Sequence, residues 1–245
     1  MPETGLVARG IHKRFGALAV LDGVDFDVGP GEAVGIVGPN GAGKTTLLSV
    51  LSGAQAPTSG RVSLAGSEVS ALDSAARCRL GLVRTHQIPR PFSGMTAFEN
   101  VFVAAAQTPG LPRAEAYDRV VDALGLCGMT DVANRRAETL GLLDRKRLEL
   151  ARALGANPRI LLLDEIGGGL TDAEANELVG VIQELRRRGI AIVWIEHIVH
   201  ILLQVVHRLV CMDQGRVIAN GDPRVVMADP AVVEAYLGGD AHGVA

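Results

Sequence analysis

The residues in this chain best suited to chemistry are GPNGAGKTT, Gly38 to Thr46, and the chemistry they suit is phosphate binding. Gly38, four intervening residues (Pro39, Asn40, Gly41 and Ala42), then Gly43, Lys44 and Thr45 meet the phosphate-loop spacing. The stretch lies between a continuously apolar run, AVGIV, and a helical pattern, TTLLSVL, which is the strand-to-helix context that such a loop needs. Glycines let backbone N–H groups turn inward around phosphates, and the start of the helix adds partial positive charge. Lys44 is expected to reach the β and γ phosphates, Thr45 to ligate Mg²⁺ through its hydroxyl, and Thr46 to complete the loop.

A second constellation, ILLLDE at Ile160 to Glu165, ends a buried strand on two carboxylates. Asp164 would sit in the inner or outer shell of the metal, and Glu165 beside the γ-phosphate as general base or water-orienting group. His197, in WIEHIVH, follows the next buried run and can reach the γ-phosphate from the same sheet edge. His200 and His207 are read as structural. Together these residues predict a site for a nucleoside triphosphate and Mg²⁺ in which Lys44, Glu165 and His197 carry catalysis.

The runs AVGIV (Ala33 to Val37), ILLLD (Ile160 to Asp164) and AIVWI (Ala191 to Ile195) are apolar throughout, which suits parallel strands covered on both faces. Helical patterns lie between them at Lys44 to Leu51, Asp144 to Leu154 and Asp172 to Arg187, the last ending in cations. Alternating strands and helices predict an α/β domain. GIHKRF and VLDGVDFDV read as antiparallel strands added at one side. From Gly94 onward MTAFENVFVAAAQ and RAEAYDRVVDALG are helical, with PRPF hinging their entry. The expected organisation is one domain over 1–238, with core and β subdomain at 1–93 and 155–238, a helical subdomain at 94–154, and a flexible tail at 239–245.

Composition narrows the function classes. The 245 residues are 48% hydrophobic, enough for a sizeable core, but only 3% aromatic, and the net charge is −3. That argues against nucleic acid as a partner. The amino terminus has no basic region followed by an apolar core, and no apolar run approaches the roughly 18 residues of a membrane span. The chain is therefore expected neither to cross a membrane nor to be exported. Cys78, Cys127 and Cys211 form no CxxC spacing, so reduced core thiols are expected rather than a metal or redox pair.

With these motifs in order, the chain resembles the ATP-binding subunit of an ABC transporter over almost its whole length. The resemblance makes the nucleotide ATP and implies a P-loop NTPase of the ABC type, with an antiparallel β subdomain and an inserted α-helical subdomain. It implies that Phe15 stacks on adenine and that Gln87, in VRTHQIPRPF, helps bind Mg²⁺ and communicates with membrane subunits. GLVRTHQIPRPFSGMTAFENV and VIANGDPRVVMADPAVVEAYLG are similar to the Liv-type importers of branched-chain amino acids and related amides. Similar carboxy-terminal segments occur in the ATPase of lipopolysaccharide export, so fold-level likeness leaves the solute open.

The family's signature segment, usually LSGGQ, aligns here on Leu140, Gly141, Leu142, Leu143 and Asp144, and only the leading Leu survives. In the family this segment meets the γ-phosphate held by a partner subunit. Here the Ser hydroxyl is missing, and two leucines stand where close backbone approach is wanted. A lost hydrogen bond to a charged group costs roughly 1.5–3 kcal/mol, or about one to two decades in rate. Asp144 would sit near phosphate unless it caps its own helix. Arg145, Lys146 and Arg147 could offset that charge or form a solvated basic face. Ile166 stands in place of the family's usual Pro, and Thr171 where Asp is common.

These departures predict an unlike ATPase partner, since the defect falls on the partner's ATP, although a homodimer stays open. The other expected partners are transmembrane permease subunits and, indirectly, a solute-binding protein. The chain would lie peripherally on the cytoplasmic face of the cell membrane. The competing readings are an exporter ATPase, a soluble regulatory or mechanical ATPase, and a small-molecule P-loop kinase. In a kinase, Gln87, ILLLDE and His197 would have no role as a set.

Overall fold

The structure is a computed structural model that describes residues 5–239. The chain opens with the strands β1 (Leu6–Phe15), β2 (Leu18–Val28) and β3 (Ala33–Val37), followed by helix α1 (Lys44–Leu51). Strands β4 (Ser59–Leu64) and β5 (Ser67–Glu68), helix α2 (Ser74–Arg79) and strand β6 (Leu82–Arg84) come next. Three helices follow: α3 (Ala97–Ala106), α4 (Arg113–Leu126) and α5 (Leu142–Gly155). The remainder runs β7 (Ile160–Asp164), α6 (Asp172–Arg187), β8 (Ala191–Ile195), α7 (Val199–Leu202), β9 (Arg208–Asp213) and β10 (Arg216–Gly221). It closes with α8 (Pro223–Met227) and α9 (Pro230–Gly239).

Two sheets result. One is antiparallel, in the order β2-β1-β4-β5; the other runs β10-β9-β3-β8-β7-β6 and is parallel except for β10. Alternate residues of the parallel strands enter different cores. Val34, Ile36, Leu162 and Val193 pack with α1 and the antiparallel sheet, while Val37, Leu161, Leu163 and Trp194 pack with α5 and α6. Burial on both faces is the reason these runs are apolar without alternation. Helices α3, α4 and α5 pack on one another.

Local chemistry sets the helix ends. Thr96 and Glu99 form a reciprocal capping box at α3, and Thr171 and Glu174 form another at α6. Thr171 therefore has a local task, whatever the family keeps at that place. At the far end of α1 the buried guanidinium of Arg77 donates to the carbonyls of Val50 and Leu51, both at 2.7 Å, supplying a cation where the helix leaves acceptors free.

The structure corrects some sequence expectations. Helix α5 starts at Leu142, two residues before Asp144, because Gly141 is extended (φ −68°, ψ 176°) and ends the preceding loop. Strands β6, β9 and β10 extend the core beyond the three apolar runs; β6 has three residues, too few for a pattern to show. Helix α9 runs through Gly239, and the rest of the expected tail, 240–245, lies outside the described residues. No helix among the described residues is long and apolar enough to cross a membrane. All three cysteines are free thiols, with Cys127 and Cys211 buried.

Candidate functional site

Most of the chemistry-bearing residues leave the parallel sheet at one edge; Phe15, on the antiparallel sheet, and Leu140 to Asp144, before and in α5, do not. Strands β3, β6, β7 and β8 run side by side in the same direction, and their carboxyl ends deliver Gly38, Gln87, Asp164 with Glu165, and Glu196 with His197. Ligands of open α/β sheets bind at this edge. A cleft of about 200 Å³ lies there, walled by Asn40 through Thr46 on one side and by Val20, Glu165 and His197 on the others.

The loop after β3 depends on its glycines. A Cβ at Gly38, which has φ +140°, would run into the carbonyl oxygen of Met212. At Gly43 (φ +96°), the residue that leads into α1, it would come within 2.8 Å of the Val20 carbonyl oxygen. The buried Lys44 ammonium donates to the carbonyls of Gly38 and Pro39 at 2.7 and 2.9 Å. Burial lowers its pKa, and Glu165, Cys211 and Asp164 work against that lowering. The Gly38 N–H donates to the phenolic oxygen of Tyr236 on α9 at 2.9 Å, so the last helix touches the first loop residue.

Asp164 is buried at the end of β7, and its two oxygens differ. Oδ2 accepts from Arg84 Nη2 at 2.7 Å, while Oδ1 is buried with no hydrogen-bond partner. Arg84 Nη1 donates to Ser49 Oγ at 2.9 Å, and Ser49 Oγ donates to the Thr45 carbonyl at 2.7 Å. Arg84 thus ties the Walker-type aspartate to the helix that bears Thr45. The free Oδ1 fits a cation shared with Thr45 and phosphate oxygens, since Mg²⁺ takes oxygen ligands and keeps several waters. Among the described residues no three His, Cys, Asp or Glu side chains cluster as a complete metal cage.

Glu165 has φ +49°, a strained backbone for a residue with a side chain, and its N–H donates to the Ile195 carbonyl at 2.9 Å. Its carboxylate accepts from the Gln87 side-chain amide and pairs with His197 Nε2 at 2.8 Å. The expected base Glu165, Gln87 and His197 therefore meet at one carboxylate. Gln87 spends its amide on Glu165 and is not among the residues that wall the cleft. Phe15 is 47% exposed at the end of β1, where the Lys13 ammonium lies 4.9 Å from its ring centroid. Val20, rather than Phe15, forms the apolar wall of the cleft itself. His207 Nδ1 accepts from the Ala33 N–H at 3.0 Å, a structural bond at the foot of β3.

The eroded segment lies at the start of α5. Leu140 is buried, Gly141 has no side-chain cap, and Leu142 is 48% exposed while Leu143 packs against the core. Asp144 is inside the first helical turn and pairs with Arg147 at 3.4 Å, so it is not a cap. Arg147 also pairs with Glu177, and Arg145 donates to the Glu138 carbonyl at 3.0 Å. Lys146 departs from the solvated basic face offered for it: it is only 6% exposed. Burial lowers its pKa, opposed by Glu196 and Glu165.

Glu196 escaped the sequence reading. Its buried carboxylate accepts from the Gly167 N–H at 2.6 Å and the His197 N–H at 3.0 Å, and burial raises its pKa. An acid directly after five apolar strand residues was the signal available. Arg84 carried a weaker one, a cation ending a three-residue strand, and Tyr236 carried none.

Comparison with known proteins agrees with this geometry. The profile of the family described as ABC transporter matches residues 21–167, and that of the branched-chain amino acid ATP-binding cassette transporter matches residues 216–242. The chain is 38% identical to the high-affinity branched-chain amino acid transport ATP-binding protein LivG of Escherichia coli K12, over 97% of this chain and 99% of LivG. It is 34% identical to the lipopolysaccharide export system ATP-binding protein LptB of Acidithiobacillus ferridurans, over 95% and 96%. Among solved structures, the ADP conformation of the ATP-binding cassette MJ1267 superposes with a TM-score of 0.86 at 31% identity, covering 95% of this chain and 98% of that one.

Proposed function

Because the chain belongs to the ABC transporter family, as one of its ATP-binding, ATP-hydrolysing subunits, we propose that it energises the import of branched-chain amino acids or related amides. The observation that carries the hydrolytic part is the meeting of Gln87, Glu165 and His197 across the cleft from Lys44. The solute class rests on the likeness to LivG and on the match at residues 216–242.

In this reading ATP enters the cleft with its phosphates against the N–H groups of Asn40 to Thr46, and Phe15 stacks on the adenine. Lys44 exchanges the carbonyls of Gly38 and Pro39 for the β and γ phosphates, which offer it full negative charge. Mg²⁺, when bound by Thr45, Asp164 and Gln87 together with the phosphates, supplies charge neutralisation for phosphoryl transfer. Glu165 then orients or deprotonates the attacking water, and His197 holds that carboxylate from the other side. Gln87 now donates its amide to Glu165, so it would have to give up that bond to hold the metal, and the carboxylate would then be left to His197 and the water.

The partner-facing segment extends the proposal. Leu140 to Asp144 would meet the ATP of a second ATPase subunit with no side-chain hydroxyl and with Leu142 in the way. This chain's own site would be the competent one, and the partner's the weaker. We therefore favour an unlike ATPase partner, bound with it at the cytoplasmic face of transmembrane permease subunits that receive solute from a solute-binding protein. The experiment is purification through a tag on this chain, followed by ATPase assay with each branched-chain amino acid. Recovery of permease subunits and stimulation by one of these solutes supports the reading; a lipid-stimulated complex favours the exporter reading that the LptB likeness motivates.

A further inference from the structure

Lys146 is the residue of α5 that the proposed function leaves unexplained. Its Nζ donates to two carbonyl oxygens, that of Gln87 at 3.3 Å and that of Glu165 at 3.4 Å. These are the peptide units of the two residues whose side chains meet each other. The Glu165 carbonyl also accepts from the Gly168 N–H at 3.3 Å, so the left-handed turn at Glu165 is gripped from α5 and from its own loop.

Lys146 does not act alone on the Gln87 loop. One turn further on, the buried carboxylate of Glu149 accepts from the His86 N–H at 3.1 Å and pairs with Arg152 at 3.0 Å. Arg152 Nη1 in turn donates to the Arg90 carbonyl at 2.8 Å, and its guanidinium lies 5.2 Å from the Phe92 ring centroid. Positions 146, 149 and 152 thus form a polar stripe holding the backbone of 86–90 along the helix. Only Lys146 also reaches the Walker-type turn.

We propose that Lys146 is a positioning residue for hydrolysis: it fixes the Gln87 and Glu165 backbones relative to each other, and it does so from the helix whose first turn faces the partner. The helix rises about 1.5 Å per residue, so Leu142 and Lys146 are roughly 6 Å apart on one rigid rod. A shift of the partner-facing turn is then felt at this chain's own catalytic carboxylate. The inference rests on the ATPase reading and on Glu165 as the group that handles water.

The test is K146M beside K146R, in the complex purified through a tag on this chain. Met keeps the aliphatic stem and removes both donors; Arg restores a cation that can reach both carbonyls. K146M should lower kcat about ten- to a hundredfold while leaving the nucleotide dissociation constant within about threefold, because the phosphate loop is untouched. K146R should recover most of the lost rate, and K146M combined with Q87A should lose less than the product of the two single losses. Wild-type kcat in K146M, an equal loss of nucleotide binding, no recovery in K146R, or full additivity with Q87A would each overturn the inference. A wild-type complex that hydrolyses no ATP would instead overturn the ATPase reading.

Discussion

The start of α1, which borders the cleft, and the start of α5, the proposed partner-facing end, are two helix ends whose glycines do different things. At α1, Gly38 and Gly43 are required by their surroundings: both have positive φ, and a Cβ at either would strike backbone. At α5, Gly141 is extended, and no atom lies within 4 Å of where its Cβ would stand. A Ser would fit there without strain. The glycines of the first end are fixed by the fold of their own subunit, while Gly141 at the second is merely tolerated by that fold. At Gly141 itself a change of residue is cheap because no internal contact depends on it, whereas the buried Leu140 and the core-packed Leu143 are held by this fold.

Replacement of Lys44 by Ala should produce the largest effect that separates the two ends. Nucleotide binding measured by calorimetry should disappear from this chain's own site, and retained affinity would remove α1 from its role. Next, E165Q should keep ATP binding but slow turnover by about two to four decades, the usual worth of a general base. Normal turnover would take Glu165 out of the chemistry.

A smaller effect is expected at α5. G141S restores the missing hydroxyl in a backbone suited to helix capping, so thermal unfolding should show a few tenths of a kcal/mol of added stability. ATP turnover at the partner's site should rise by up to about tenfold. An unchanged rate would mean that Leu142 and Leu143, rather than the lost Ser, set the defect. Smallest of all, Y236F removes the acceptor for the Gly38 N–H and should weaken nucleotide binding about two- to tenfold with little change in kcat. An unaltered affinity would make α9 a bystander to the phosphate loop.

Legibility in the sequence follows the same division. Elements whose signal is local could be read: β3, β7 and β8 as unbroken apolar runs, α1 from the phosphate-loop spacing, and α6 from its helical pattern and terminal arginines. What escaped was set by contacts distant in sequence. Arg84 gains its meaning from Asp164, 80 positions on, and Tyr236 from Gly38, 198 positions back. Lys146 looked like one of three surface cations because RKR says nothing about which of them faces a carbonyl pair. The α5 boundary was misjudged because a glycine with open space around it gives no capping signal, and Asp144 resembled a cap while sitting inside the first turn.

The central claim is that the two composite ATP sites are unequal, with the competent one built on this chain's α1. It is tested most directly by making the glutamate-to-glutamine change in one ATPase subunit of the purified complex at a time and comparing the remaining turnover. The account predicts that E165Q silences this chain's own site and reduces total hydrolysis to the few per cent that the partner's weaker site supplies, while the matching change in the partner leaves most of it. Equal losses from the two changes, or a purified chain that alone forms a fast-hydrolysing homodimer, would contradict it.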